Sequence, residues 1–223
     1  MKYPDHKTYE TLYAKYINKQ NLLDMMNLAG KNYSGKNFMD ICCGNGDATI
    51  EAFNRGASYC CLIDQEPDMI PKNLQRINVK KRHYYNYSAK DALHIYHCNS
   101  GNKIDIAFCR QGVNYWLDYR SIENLANVMS EKGVFIFNTF NTKPAREPMI
   151  KEYKIDAVFF VEISYLVGDD TVHHVQIREG YPPHITEFKW LSEEYIKSCL
   201  TDFFDYKIIR KNKTDIYKCV KKK

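Results

Sequence analysis

The stretch "FMDICCGNGDATIEAF" (residues 38–53) decides how the rest of the chain is read. It opens as a short apolar strand, breaks at Gly44-Asn45-Gly46 and continues as a run of helix formers. Glycines at a strand-to-helix turn let the backbone bend tightly and approach a ligand. The helix start behind them offers N–H groups that have no partner inside the helix. The turn also holds an adjacent cysteine pair, Cys42-Cys43. It is therefore either a thiol centre or a cradle for another molecule.

The spacing of the other cysteines favours the cradle. Of the eight in 223 residues, two more are adjacent (Cys60-Cys61), Cys98, Cys109, Cys199 and Cys219 are scattered, and no C-x-x-C occurs. That pattern suits neither zinc nor a disulfide framework, and free buried thiols pack as small hydrophobes. No metal is expected. Hydrophobic residues make up 44% and charged residues 26%, which is ordinary for a soluble domain. No apolar run is long enough to span a bilayer, and "MKYPDHKTYETLYAKY" lacks the apolar core of a secretion signal, so a cytoplasmic protein is expected. The net charge is +5, but "KCVKKK" at residues 218–223 holds four lysines, and the rest of the chain carries only +1. With one further small cluster at Lys80, Lys81 and Arg82, this reads as a basic tail more than a nucleic-acid face.

Outward from the turn, strands and helices alternate. Residues 8–29 have helical spacing and end at Gly30. "NFMDICC", "SYCCLID", "HYYNYS", "KIDIAFC" and "GVFIFNTF", the last opened by Gly133, read as five strands. "GDATIEAFNRG", "PDMIPKNLQRIN", "KDALHIYH" and "DYRSIENLANVMS" read as helices between them. Right-handed crossovers then give a parallel sheet covered on both faces. Beyond residue 140 the texture changes: "KPAREPMIKEYK" reads as helix-like, while "AVFFVEISYLV", "TVHHVQIRE" and "HITEFKW" read as antiparallel strands. "SEEYIKSCLTDFF" is a helix capped by Ser192, and "DYKIIRKN" and "IYKCVKK" close the chain as a hairpin. One domain over 1–223 is expected, with an N-terminal lid region at 1–30, a cofactor core at 31–140, an antiparallel insertion at 141–190 and a closing helix and hairpin at 191–223.

Two acidic residues sharpen the cradle. The second strand ends at Asp64, 18 residues past Gly46, where a carboxylate can accept both hydroxyls of a ribose. Asp91, in "AKDA" after the third strand, is placed to read an adenine amino group. The third glycine of a dinucleotide fingerprint is missing, and Asp47 at the helix start would repel a pyrophosphate. A ligand with an adenosine and no phosphate fits better.

The ordered set "MDICCGNGDAT", "CCLIDQEP", "AKDAL" and "IDIAFCRQGVNYW" resembles the class I S-adenosylmethionine-dependent methyltransferase superfamily over nearly the whole chain. In that family the turn is usually D-x-G-x-G-x-G, and Cys42 stands here where the first glycine would be. The resemblance implies a Rossmann-like α/β fold with a mostly parallel seven-stranded sheet, an antiparallel last strand and, here, an antiparallel insertion. It implies S-adenosyl-L-methionine as cofactor and S-adenosyl-L-homocysteine as product. Carried over by position, Asp40 and the backbone at Cys42, Gly44 and Gly46 would hold the methionine part. Asp64 would take the ribose, with Gln65 beside the adenine, and Asp91 and the Ala92 backbone would read the adenine edge. Arg110 and Gln111 would face the methionine end and the substrate. Tyr16 matches an N-terminal lid tyrosine, with Tyr13, one turn earlier, as the alternative on the substrate side.

A methyl donor still needs an acceptor pocket, expected at the carboxyl ends of strands four and five. Asn114 and Tyr115 can line it, although the segment lacks the Asn-Pro-Pro-aromatic motif of amino-methylating DNA enzymes. In the insertion, alternation puts His174, Gln176 and Arg178 on one face, Glu162 and Ser164 together, and His184, Thr186 and Phe188 together. If those polar faces coincide, His174 and His184 are two bases and Arg178 a cation for an anionic group; otherwise they are the wetted side of a sheet. The expected activity is methyl transfer to N or O of a small-molecule acceptor. RNA methylation, or a non-catalytic cofactor-binding scaffold, is the alternative. Acceptor and oligomeric state stay open.

Overall fold

The computed structural model describes residues 19–66, 82–99, 102–155, 157–211 and 213–223. Its frame is a seven-stranded sheet built from β1 (Asn37–Ile41), β2 (Tyr59–Ile63), β3 (Arg82–Tyr85), β4 (Ile104–Cys109), β5 (Met129–Phe140), β10 (Phe204–Arg210) and β11 (Thr214–Lys221). The order across the sheet is β10-β11-β5-β4-β1-β2-β3. The β1–β2, β2–β3, β1–β4 and β4–β5 pairs are parallel, and β11 runs antiparallel to both β5 and β10. The strand order therefore reverses between β1 and β4, which opens a crevice at their carboxyl ends.

Alternation along β1 shows how the sheet is covered. Phe38 packs into one cluster with Leu22, Met25 and Met26 of α1 (Lys19–Asn27) and Ala48 and Ala52 of α2 (Asp47–Asn54). Met39 and Ile41 pack into the other with α3 (Ala89–Asn99), α4 (Tyr119–Val128) and α5 (Glu193–Leu200). Both sides of the central strands β1, β2 and β4 are thus dry, as the continuous apolar runs demand. Asp118 caps α4 by accepting from Ser121 N, and Ser192 caps α5 by accepting from Tyr195 N. No helix among the described residues is long and apolar enough to cross a membrane.

The insertion is a separate four-stranded antiparallel sheet, in the order β6 (Met149–Ile155), β7 (Val158–Val167), β8 (Thr171–Arg178), β9 (His184–Lys189). Two expectations change. Residues 149–155 form a strand, where their Lys and Glu content reads as helical. Pairing of Met149, Lys151 and Tyr153 opposite Ser164, Glu162 and Phe160 of β7 overrides local propensity. Strand β5 begins at Met129, four residues before Gly133, because the β4–β5 ladder already starts at Ile104–Met129. The basic end of the chain forms the expected hairpin strand as far as Lys221, whose Nζ donates to Met129 O, and Lys222 Nζ just beyond it donates to Thr201 O. The helix read over "PDMIPKNLQRIN", like residues 8–18 of the first helix, lies outside the described residues.

Candidate active site

At the end of β1 the chain takes the left-handed conformation at Cys42 (φ 57°), Gly44 (φ 51°) and Gly46 (φ 75°). These alternate positions coil the turn. Gly46 N donates to Cys43 O, and Cys43 N reaches back to Ile63 O of β2. Asp64 anchors the other side, its Oδ2 accepting from Gly44 N at 2.9 Å and its Oδ1 from Glu66 N at 3.1 Å. Burial pushes the Asp64 carboxyl above its ordinary range, and the backbone N–H bonds pull it back. Tyr84 OH donates to Glu66 O, and Asn86 Nδ2 to Gln65 O, so β3 and its exit pin the acidic loop.

Asp40 lies one layer deeper. It is buried, and Oδ2 accepts from both Thr49 N (3.1 Å) and Thr49 Oγ1 (2.7 Å), which braces strand β1 against helix α2. Burial pushes its pKa up to about 7, while the Thr49 hydroxyl and Arg110 pull it down. An acid that folding prefers neutral adds stability that is complete below its unfolded pKa of roughly 4, and that drains away as pH rises toward about 7. Asp40→Asn keeps an acceptor for Thr49 and removes the titration. Its unfolding midpoint is expected to lie several degrees above the parent at pH 8 and to converge with it near pH 4, as thermal melts across pH will show.

Asp91 is exposed at the start of α3, exchanging hydrogen bonds with Ser88: Ser88 Oγ donates to Asp91 Oδ2 (2.6 Å), and Asp91 N donates to Ser88 Oγ (3.3 Å). Ala92 is buried and its N–H closes the helical turn on Ser88 O. The carboxylate of Asp91 is therefore the group there that can reach a ligand.

Across the crevice, Gln111 is left-handed (φ 60°), held by Gln111 N donating to Asn138 Oδ1 at 2.8 Å. Arg110, beside it, is half-buried. Asn138 and Gly112 are site residues that sequence reading missed. A buried Asn inside the apolar run "GVFIFNTF" was the available signal for the first. Asn114 turns inward: Nδ2 donates to Lys189 O (2.7 Å) and Oδ1 accepts from Thr139 Oγ1 (3.2 Å). It ties β5 to the insertion. Tyr115 meets Phe188 edge-on at 6.1 Å, and Phe188 stacks on Phe140 at 5.5 Å.

The polar faces of the insertion coincide. Register places Ser164 opposite His174 and His174 opposite Thr186; Glu162 stands opposite Gln176 and Gln176 opposite His184. Phe188 shares this face, and its contact with Tyr115 and Phe140 turns the face toward the carboxyl edge of β4 and β5. Ser164 Oγ and His174 Nδ1 are 2.7 Å apart. Burial lowers the His174 pKa, the Glu162 charge raises it, and His184 and Lys151 lower it again. The Arg178 guanidinium lies over the rings of Tyr181 (4.6 Å) and Phe160 (5.8 Å). Tyr13 and Tyr16 lie outside the described residues. Among the described residues no cluster of His, Cys, Asp and Glu is arranged to hold a metal ion.

The cradle suits an uncharged or cationic group bearing an adenosine. Helix α2 starts at Gly46 without a side-chain cap, but Asp47 occupies its first turn, which disfavours phosphate. The family model described as a methyltransferase domain matches residues 32–186. Among solved structures, an S-adenosylmethionine-dependent methyltransferase from Clostridium acetobutylicum ATCC 824 is 16% identical with a TM-score of 0.68, each chain 95% covered. SAM-bound CalS10, an amino pentose methyltransferase from Micromonospora echinaspora, is 11% identical at a TM-score of 0.70, with 98% of each chain covered. The sugar N-methyltransferase KedS8 from Streptoalloteichus sp ATCC 53650 is 12% identical at 0.69, covering 100% of this chain and 97% of its own. No curated protein matches the chain in sequence.

Proposed function

The chain belongs to the methyltransferase-domain family, as an S-adenosylmethionine-dependent enzyme of the class I superfamily, and on that premise we propose that it methylates N or O of a small-molecule acceptor. The bound cofactor supplies an electrophilic methyl on a sulfonium. The turn at 42–46, Asp64 and Asp91 are the residues that would hold it. Everything else falls to the chain: to orient the acceptor, exclude water and take a proton.

The observation that carries this reading is the coincidence of the polar faces of β7, β8 and β9 opposite the crevice. With Nδ1–H donating to Ser164, His174 presents Nε2 as a base, and its lowered pKa keeps it neutral near pH 7. His184 is the second base, and Arg178 the cation for an anionic group. Asn114 keeps the insertion in register over β5, and Tyr115 supplies the aromatic wall of the pocket. The sugar-methylating neighbours support an acceptor of small size. A single functional unit over 1–223, working in the cytoplasm, completes the proposal.

The test is incubation of the full chain with methyl-labelled cofactor and a cell extract. Label is expected in the small-molecule fraction. Recovery in RNA or protein alone rejects the acceptor class, and binding without transfer rejects catalysis. On the labelled acceptor, His174→Ala is expected to slow transfer about a hundredfold with unchanged cofactor affinity. Because the base must be neutral, the parent rate should fall only on the acid side, below the ordinary histidine range. Full turnover in both His174→Ala and His184→Ala would reduce the insertion to a cover.

A further inference from the structure

Gln176 sits at the middle of the polar face, between Glu162 on β7 and His184 on β9. It is only 8% exposed. Its Nε2 donates to Glu162 Oε1 at 3.3 Å, while its Oε1 is buried with no hydrogen-bond partner. Only the amide nitrogen can face a carboxylate, so this contact fixes which end of the side chain is which. A buried carbonyl left unpaired is destabilising, and an all-apolar residue would avoid that cost. An unpaired group of this kind, on the face turned toward the crevice, is what a ligand donor would satisfy.

We infer that Gln176 Oε1 is a specificity-determining acceptor for a neutral hydroxyl of the methyl acceptor, a deduction that rests on the small-molecule reading above. The surroundings select a hydroxyl over an ammonium. Glu162, the anion beside it, is already committed: Tyr153 OH donates to Oε1 at 2.7 Å, and Lys151 Nζ lies 3.7 Å from Oε2. Arg178 follows two residues along the same face. A further cation would meet Lys151 and Arg178 while the Glu162 carboxylate is already committed, whereas a hydroxyl donates to Oε1 without adding charge. The hydroxyl need not be the methylated atom. It orients the acceptor beneath the sheet.

The test uses the full-length ¹⁵N-labelled chain saturated with S-adenosylhomocysteine, whose binding is first measured by calorimetry. The Gln176 side-chain amide signal is assigned by its loss in Gln176→Leu. Two pairs of probes are titrated: cyclohexanol against methoxycyclohexane, and phenol against anisole. Each alcohol is expected to shift the Gln176 amide and to bind at least tenfold more tightly than its ether, a gap that shrinks to within twofold in Gln176→Leu. The inference is overturned by equal binding of alcohol and ether to the parent, by alcohols that leave the Gln176 signal unmoved, or by a gap that survives Gln176→Leu. If that variant loses S-adenosylhomocysteine binding, the parent comparison decides alone. A parent that does not bind S-adenosylhomocysteine at all fails the cofactor reading instead, at the calorimetric step.

Discussion

Asp64→Ala is expected to weaken S-adenosylmethionine binding about a thousandfold. The carboxylate directly follows β2 at the rim of the crevice and is buried to 9% exposure. Two hydrogen bonds from ribose hydroxyls to a charged acceptor are worth about 2 kcal/mol each, so their loss is about 4 kcal/mol, or roughly three powers of ten in affinity. The same oxygens also organise the turn, since Gly44 N and Glu66 N donate to them. Asp64→Asn separates the two contributions. Its remaining oxygen still accepts from Gly44 N, the contact with Glu66 N is lost because an amide nitrogen cannot accept, and the amide offers hydroxyls a weaker, uncharged partner, so a loss of about tenfold is expected. Calorimetric titration with cofactor, alongside thermal melts to show that both variants fold, makes the comparison. Affinity in the Ala variant within threefold of the parent would show that Asp64 serves the turn alone.

The parts legible in the sequence are those fixed by residues a few positions apart. A strand ending in "GNG" before a helix, and acidic residues at the ends of the next two strand units, need only local geometry to be placed. Alternation likewise sorted Glu162 with Ser164 and His174 with Gln176. What alternation cannot supply is register. That the faces of β7, β8 and β9 fall on one side depends on pairings across the chain, such as Ser164 with His174 and His174 with Thr186. Residues 149–155 were illegible for a related reason: Met, Lys and Glu suit a helix locally, and only the edge offered by β7 makes them a strand. Asn114 belongs to the same class. In "RQGVNYW" it reads as a pocket residue, but both ends of its amide are spent on Lys189 O and Thr139 Oγ1, partners 75 and 25 residues away.

Gly112 carries the least visible constraint, and it explains how the chain tolerates Cys42 where the family turn has glycine. Its own backbone is unstrained (φ −115°), so any residue could adopt it. Space is what forbids one: a Cβ on Gly112 would lie 2.5 Å from Cys42 Cβ, 2.9 Å from Cys42 Sγ and 3.2 Å from Cys109 Sγ. The Cys42 side chain has moved into room that a glycine turn leaves empty, and Gly112 on the facing loop is the complement. Gly112→Ala should therefore push the cofactor turn away from β4. We expect a loss of about 2 kcal/mol, roughly 6 °C in midpoint for a chain of this size, together with a large drop in cofactor affinity. Cys42→Gly should be close to neutral alone, because relief of a left-handed non-glycine residue, worth about 1 kcal/mol, offsets the lost thiol packing. In the double variant both close contacts with Cys42 disappear, and only the 3.2 Å approach to Cys109 Sγ remains. Most of the stability and the cofactor affinity should return. Simple addition of the two single effects in the double-mutant cycle would mean that the side chains at 42 and 112 do not compete for the same space.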